Sequence, residues 1–141
     1  MEKGLTIKDI KFLAHELARQ TMEWNEPIPD FSTRFPNVLE SCLAVPLQRF
    51  DKKYLYRGLV AKAAILFYLM IKNHPFQNGN KRVAVVALFL FLYKNKKWMN
   101  VSNDTLYRFA VLVAQSPSEL KKEVVNLIEG FIQKNIVDYE E

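Results

Sequence analysis

Residues 61–93 read AKAAILFYLMIKNHPFQNGNKRVAVVALFLFLY, and this stretch decides the fold. Ala61 to Ile71 is apolar except at Lys62, and Val83 to Tyr93 is apolar throughout. Helices that are hydrophobic on every side are buried, so the two runs form the core pair of a bundle. Pro75 disfavours helical geometry at His74, which ends the first helix by about Asn73. The second begins near Asn80, and Pro75 to Gly79 leaves room only for a sharp turn. Eleven apolar residues from Val83 to Tyr93 are too few to span a bilayer, which takes about 20.

Outward from this pair the chain stays helical. Four glycines in 141 residues and few alternating patterns argue against sheets. Thr6 and Asp9 match a capping box, and Ile7, Ile10, Leu13, Ala14, Leu17 and Ala18 then fall on one face of a helix running to about Met22. Asn25 to Pro36, with its prolines, reads as a loop or flap, and Pro46 to Tyr54 is a second place for an extended flap. Pro36 opens a short helix that ends before Pro46. The first core helix lies between Tyr54 and Asn73. Ser102, Asn103 or Asp104 caps a helix through Val113. Ser116, Pro117 and Glu119 match a capping box for a last helix to about Ile136, and Asp138 to Glu141 reads as a frayed tail. The expected fold is all-α, about six helices in one domain over residues 1–141.

Half of the residues are apolar and a quarter charged, which excludes wholesale disorder. The single cysteine, Cys42, fits a reducing compartment and is expected to pack as a small core residue. The first nine residues do not read as a signal peptide, so a cytoplasmic location is expected. The net charge is +5, but the basic residues are scattered and no nucleic-acid-binding pattern occurs. Neither a nucleic acid nor a membrane is an expected partner.

The chemistry concentrates in His74-Pro75-Phe76-Gln77-Asn78-Gly79-Asn80-Lys81-Arg82. The unpaired N–H groups and dipole of a helix N-terminus attract anions. Lys81 and Arg82 in the first turn oppose that dipole, and a bound phosphate removes the conflict. Gly79 permits a positive φ or a close approach to ligand. His74 can exchange a proton near neutral pH. A proton acceptor beside a phosphate cradle suggests transfer of a phosphoryl-type group to a hydroxyl.

These residues resemble the signature of the Fic/Doc superfamily, H-x-F-x-[D/E]-[A/G]-N-x-R. Leu39-Glu40-Ser41 with Leu43 and Pro46, Phe50, the apolar helix into Asn73-His74, and Leu88 to Tyr93 are similar to its Doc (death-on-curing) branch. The resemblance is close over about residues 36–98. It implies that His74 deprotonates the target hydroxyl, that Asn80, Arg82 and the Gly79 backbone contact nucleotide phosphates, and that Phe76 is buried to hold the loop. AMP-transferring Fic enzymes typically have glycine between the asparagine and the arginine, and Doc-type proteins have lysine. Lys81 therefore implies Doc-like transfer of the terminal phosphate of ATP, for which the family target is a threonine of elongation factor EF-Tu. A toxin of this kind would be neutralised by a Phd-like antitoxin whose helix covers the cleft. An AMP or other nucleotidyl transferase, and an inactive nucleotide- or antitoxin-binding module, are the alternatives.

One position departs from the signature. Asn78 stands where the family has the Asp or Glu that binds magnesium with ATP. An amide oxygen lacks the negative charge that hard cations favour. Three outcomes are open: weaker use of Mg²⁺ at Asn78, metal held by the nucleotide phosphates alone, or lost catalysis; the persistence of His74, Asn80, Lys81 and Arg82 favours retained chemistry.

The remaining polar and aromatic residues have plainer readings. His15 falls at the border of the first helical stripe, without nearby ligands. Trp24 and Trp98 read as packing or interface residues. Val125-x-x-x-Glu129-Gly130 resembles the inhibitory [S/T]-x-x-x-E-[G/N] helix of some Fic proteins, with Val at the first position. In that helix the glutamate pairs with the motif arginine.

Overall fold

The computed structural model describes residues 2–21 and 28–139. Within them the protein is a bundle of six helices with two small two-stranded sheets. Helix α1 covers residues 7–21 and contains a π-helical segment, Ile10–His15; α2 is Pro36–Ala44, α3 Gly58–Lys72, α4 Asn80–Lys94, α5 Asn103–Gln115 and α6 Lys121–Asn135. The all-α expectation holds. Trp24 and the expected end of α1 at Met22 lie outside the described residues.

Helices α3 and α4 are the centre of the core. Every residue from Lys62 to Ile71 is buried, as are Val83 to Val85, Ala87 to Phe89, Phe91 and Leu92. Helix α3 packs on α4, α5 and α6, and α4 also packs on α1 and α5. Truncating a core side chain such as Phe67 or Leu88 to alanine should cost about 2–5 kcal/mol. Cys42 is packed in the same core, where burial pushes its thiol pKa up to about 11. No helix among the described residues is long and apolar enough to cross a membrane.

The capping box of Thr6 and Asp9 forms: the Thr6 N–H donates to Asp9 Oδ2 at 2.9 Å, and the Asp9 N–H donates to Thr6 Oγ1 at 3.1 Å. The stripe behind it turns differently from a regular helix. The wider π turn advances the register, so Ile10, Ala14, His15 and Ala18 face the core. Leu13 and Leu17, expected inside, are each 43% exposed, and His15 is 1% exposed.

Three boundaries differ from the expected ones. Tyr54 belongs to a hairpin, β1 (Arg49–Phe50) with β2 (Lys53–Tyr54), so α3 starts only at Gly58. The second of the two expected flap positions thus forms strands, while residues 25–27 of the first lie outside the described residues. The Ser116 box does not form, because its hydroxyl donates back to Val113 O at 2.5 Å and closes α5. Pro117 is extended, and a 3₁₀ turn, Ser118–Leu120, precedes α6. At the C-terminal side β4 (Ile136–Asp138) pairs antiparallel with β3 (Lys97–Met99), so Ile136 and Asp138 are strand rather than helix and tail. Lys97 forms an ion pair with Asp138 across this ladder. Trp98 packs 4.8 Å from Phe89 between ring centroids, in keeping with a packing role.

Lys62, the polar exception in the first apolar run, is completely buried. Its Nζ donates to Tyr56 O at 2.8 Å, pairs with Glu2 Oε1 at 2.7 Å and lies 4.0 Å from the Tyr54 ring centroid. A buried ammonium is tolerated only when partnered in this way. The contacts fasten the N-terminal segment and the hairpin to α3.

Candidate active site between α3 and α4

The loop begins where α3 stops. The Asn73 N–H still donates to Leu69 O at 2.9 Å, and His74 then turns into the left-handed region at φ 51°. Proline at position 75 closes the right-handed helical option to His74. A non-glycine residue in that region costs on the order of 1 kcal/mol, held here by the surrounding contacts. The His74 side chain is exposed to solvent at the loop's edge.

Asn80 shapes the rest of the turn. Its Oδ1 accepts from the Phe76 N–H and its Nδ2 donates to Phe76 O, each at 2.9 Å. The same Nδ2 lies 3.4 Å from His74 Nδ1. At that length the contact orients the ring weakly, favouring the Nε2–H tautomer. Moving the proton to Nδ1 forfeits only this long bond and leaves Nε2 able to accept a proton.

Gly79 takes φ 77° and caps α4 without a side-chain bond. A Cβ there would sit 2.6 Å from Ile28 Cγ1, so the position has neither the backbone freedom nor the space for a side chain. The first turn of α4 contains no acidic residue, and it carries Lys81 and Arg82 against the helix dipole. An anion at this end is the electrostatically favoured guest.

These elements enclose a pocket of about 230 Å³ lined by Ile71, His74, Gln77, Asn78, Gly79, Asn80, Lys81 and Ala114. Lys72 fixes its far wall by donating to Ser116 O at 2.5 Å and Ala114 O at 3.3 Å, a cation on the closing carbonyls of α5. Of the residues singled out in the sequence, His74, Asn78, Gly79, Asn80 and Lys81 therefore meet at one pocket. Phe76 lies beneath it, 2% exposed. Arg82 is 4% exposed and does not line the pocket. Glu129 lines a different cavity, of about 420 Å³, with Tyr56, Ile65 and Lys121. Ile71, Gln77 and Ala114 also line the pocket, although nothing in the sequence assigned them a role in the site.

The family-model comparison matches the chain over residues 4–92 to Fic, the Fic/DOC family, which is more than half of its length. The chain belongs to the Fic/DOC family. Fic/DOC proteins generally transfer nucleotide or phosphate groups to proteins, with a nucleotide as donor. No protein of curated function and no solved structure matches the chain.

The Fic/DOC loop of this chain does not suit a protein-held divalent cation. No group of three or more His, Cys, Asp or Glu that could hold a metal occurs among the described residues. Asn78 offers a single amide oxygen, and this oxygen already accepts from the Gly79 N–H at 2.9 Å. Any magnesium at the loop would arrive as part of the nucleotide substrate.

Proposed function

We propose that this protein is a Doc-like toxin that moves the terminal phosphoryl group of ATP to a hydroxyl of a protein. The observation that carries the reading is that Lys81 and His74 line the same pocket at the N-terminus of α4. By the resemblance, lysine between the asparagine and arginine of the motif is the Doc-type residue, and here it lines the same pocket as His74. The pocket, at about 230 Å³, is smaller than an ordinary small-molecule site of roughly 300–1,000 Å³. It suits a phosphate end, with the nucleoside outside.

In the reaction His74 takes the proton of the acceptor hydroxyl as its oxygen attacks the γ-phosphorus. The bond from that phosphorus to the bridging oxygen of the β-phosphate breaks, and ADP leaves. The Lys81 ammonium and the dipole at the N-terminus of α4 balance charge on the transferring group. Arg82, by the resemblance, contributes to phosphate binding, its side chain buried at the first turn of α4. By the same resemblance the acceptor is a threonine of EF-Tu, and a Phd-like antitoxin is the neutralising partner. The cytoplasm is where all of them would meet.

A second reading, an inactive nucleotide- or antitoxin-binding module, is favoured by one observation: the Asn78 oxygen is uncharged and already accepts from the Gly79 N–H, and no group of three or more His, Cys, Asp or Glu that could hold a metal occurs among the described residues. ATP labelled on the α or the γ phosphate, incubated with cell extract and either wild type or His74→Ala, separates the readings. Label from the γ position supports phosphoryl transfer, and label from the α position supports nucleotidyl transfer. No His74-dependent label supports the binding module.

A further inference from the structure

Beneath the pocket three aromatic rings meet. His15 lies 5.3 Å from Phe31 edge-on and 5.3 Å from Phe76, and Phe31 lies 6.0 Å from Phe76 between centroids. All three are buried, and the imidazole is the only one with a polar edge. Its Nε2 lies 3.0 Å from Pro29 O, so the neutral ring donates its Nε2 proton to that carbonyl. Burial, the largest influence, lowers the His15 pKa and keeps the ring neutral.

The carbonyl belongs to a strap, residues 28–35, that lies along the motif loop. Its Phe35 N–H donates to Pro75 O at 2.8 Å. Ile28 at its other end fills the space beside Gly79. The Arg34 guanidinium covers the Phe31 ring at 4.3 Å. The strap thus holds the loop at Pro75, Phe76 and Gly79, on both sides of the residues that line the pocket. His15 touches both partners at once, the strap through Pro29 and Phe31, the loop through Phe76. The π turn in α1 is what aims it inward.

We infer that His15 is a positioning residue for the motif loop, pinning the strap of residues 28–35 so that His74 and the α4 N-terminus keep their mutual geometry. It touches no reacting atom; it acts through Phe76 and Pro29. The loop needs such a pin because His74 sits in the left-handed region and relaxes once its neighbours let go. The inference rests on the proposed chemistry only where turnover is read.

The test compares wild type with His15→Phe, which keeps an aromatic ring and leaves Pro29 O without its donor, and His15→Gln, whose amide restores one. Amide hydrogen exchange is followed by mass spectrometry on the full chain. In His15→Phe, exchange across residues 28–35 and 75–80 should rise about tenfold, while α3 and α4 core amides stay as in wild type. Where transfer from labelled ATP is seen, kcat should fall about tenfold with KM for ATP nearly unchanged. His15→Gln should return most of the protection and turnover. Unchanged exchange in both segments overturns the inference, and so does faster exchange throughout the core, which makes His15 a general packing residue. Wild type without His74-dependent transfer refutes the proposed chemistry, and the exchange data still decide the role of His15.

Discussion

The Asn80 side chain completes the main chain of Phe76, accepting from its N–H and donating to its carbonyl at 2.9 Å on each side. The two residues are four apart, and the amide stands in for a neighbouring strand. This pairing sets the curvature that carries the chain from His74 onto α4. Asn80→Asp keeps the acceptor and loses the donor, leaving Phe76 O buried without a partner. The variant should lose about 1–3 kcal/mol in urea unfolding, with turnover reduced at least tenfold. Wild-type stability would remove Asn80 from this role.

Gly79 and Ile28 form a close approach that a double substitution can dissect. Gly79→Ala introduces a Cβ against Ile28 Cγ1 and strains a left-handed residue. We expect a loss of about 1–3 kcal/mol and weakened nucleotide binding. Adding Ile28→Ala should recover the steric part and not the backbone part, so thermal unfolding of the double variant should fall above the single Gly79→Ala. Simple additivity of the two losses would contradict the contact.

Acid should weaken the strap through His15. The hydrogen bond to Pro29 O and the charges of Glu16 on α1 and Asp30 on the strap favour the protonated ring, and Arg19 on α1 opposes it. Burial outweighs them and lowers the folded pKa below the ordinary histidine value of about 6.5. The unfolded chain therefore takes up this proton first as pH falls. Stability from the neutral ring is intact above about 6.5 and declines below it until the folded pKa is reached. The urea midpoint of wild type should drop between pH 7 and pH 5, and that of His15→Gln should drop less.

Restoring the carboxylate at position 78 tests the departure from the family signature. Asn78→Asp supplies a charged oxygen ligand at the mouth of the pocket. Transfer measured at limiting Mg²⁺ should rise several-fold over wild type. An equal rate in both proteins would mean that the residue does not meet the metal.

The central pair α3–α4 and the turn between them were legible from hydrophobicity and Pro75 alone, because burial on all sides leaves a run without polar residues. The clustering of His74, Asn78, Gly79, Asn80 and Lys81 was legible for the same reason, since a seven-residue turn keeps its residues together. The inward turn of His15 was not, because nothing local in Ile10–His15 announces a π turn, and a regular helix puts Leu13 and Leu17 inside instead. The β3–β4 pairing was hidden as well, being made by two three-residue strands far apart in the chain. Lys62 stood out as a polar residue in an apolar run, but its partners Glu2, Tyr54 and Tyr56 are contributed by other segments. The wall at Ala114 depends on Lys72 reaching the end of α5, a contact no spacing encodes.

The proposed activity is phosphoryl transfer with His74 as proton acceptor. It is tested most directly by incubating purified wild type and His74→Ala with EF-Tu and ATP labelled on the γ or the α phosphate. γ label is expected on EF-Tu with wild type, none with His74→Ala, and no α label with either. Transfer of α label, or γ transfer that survives His74→Ala, would contradict it.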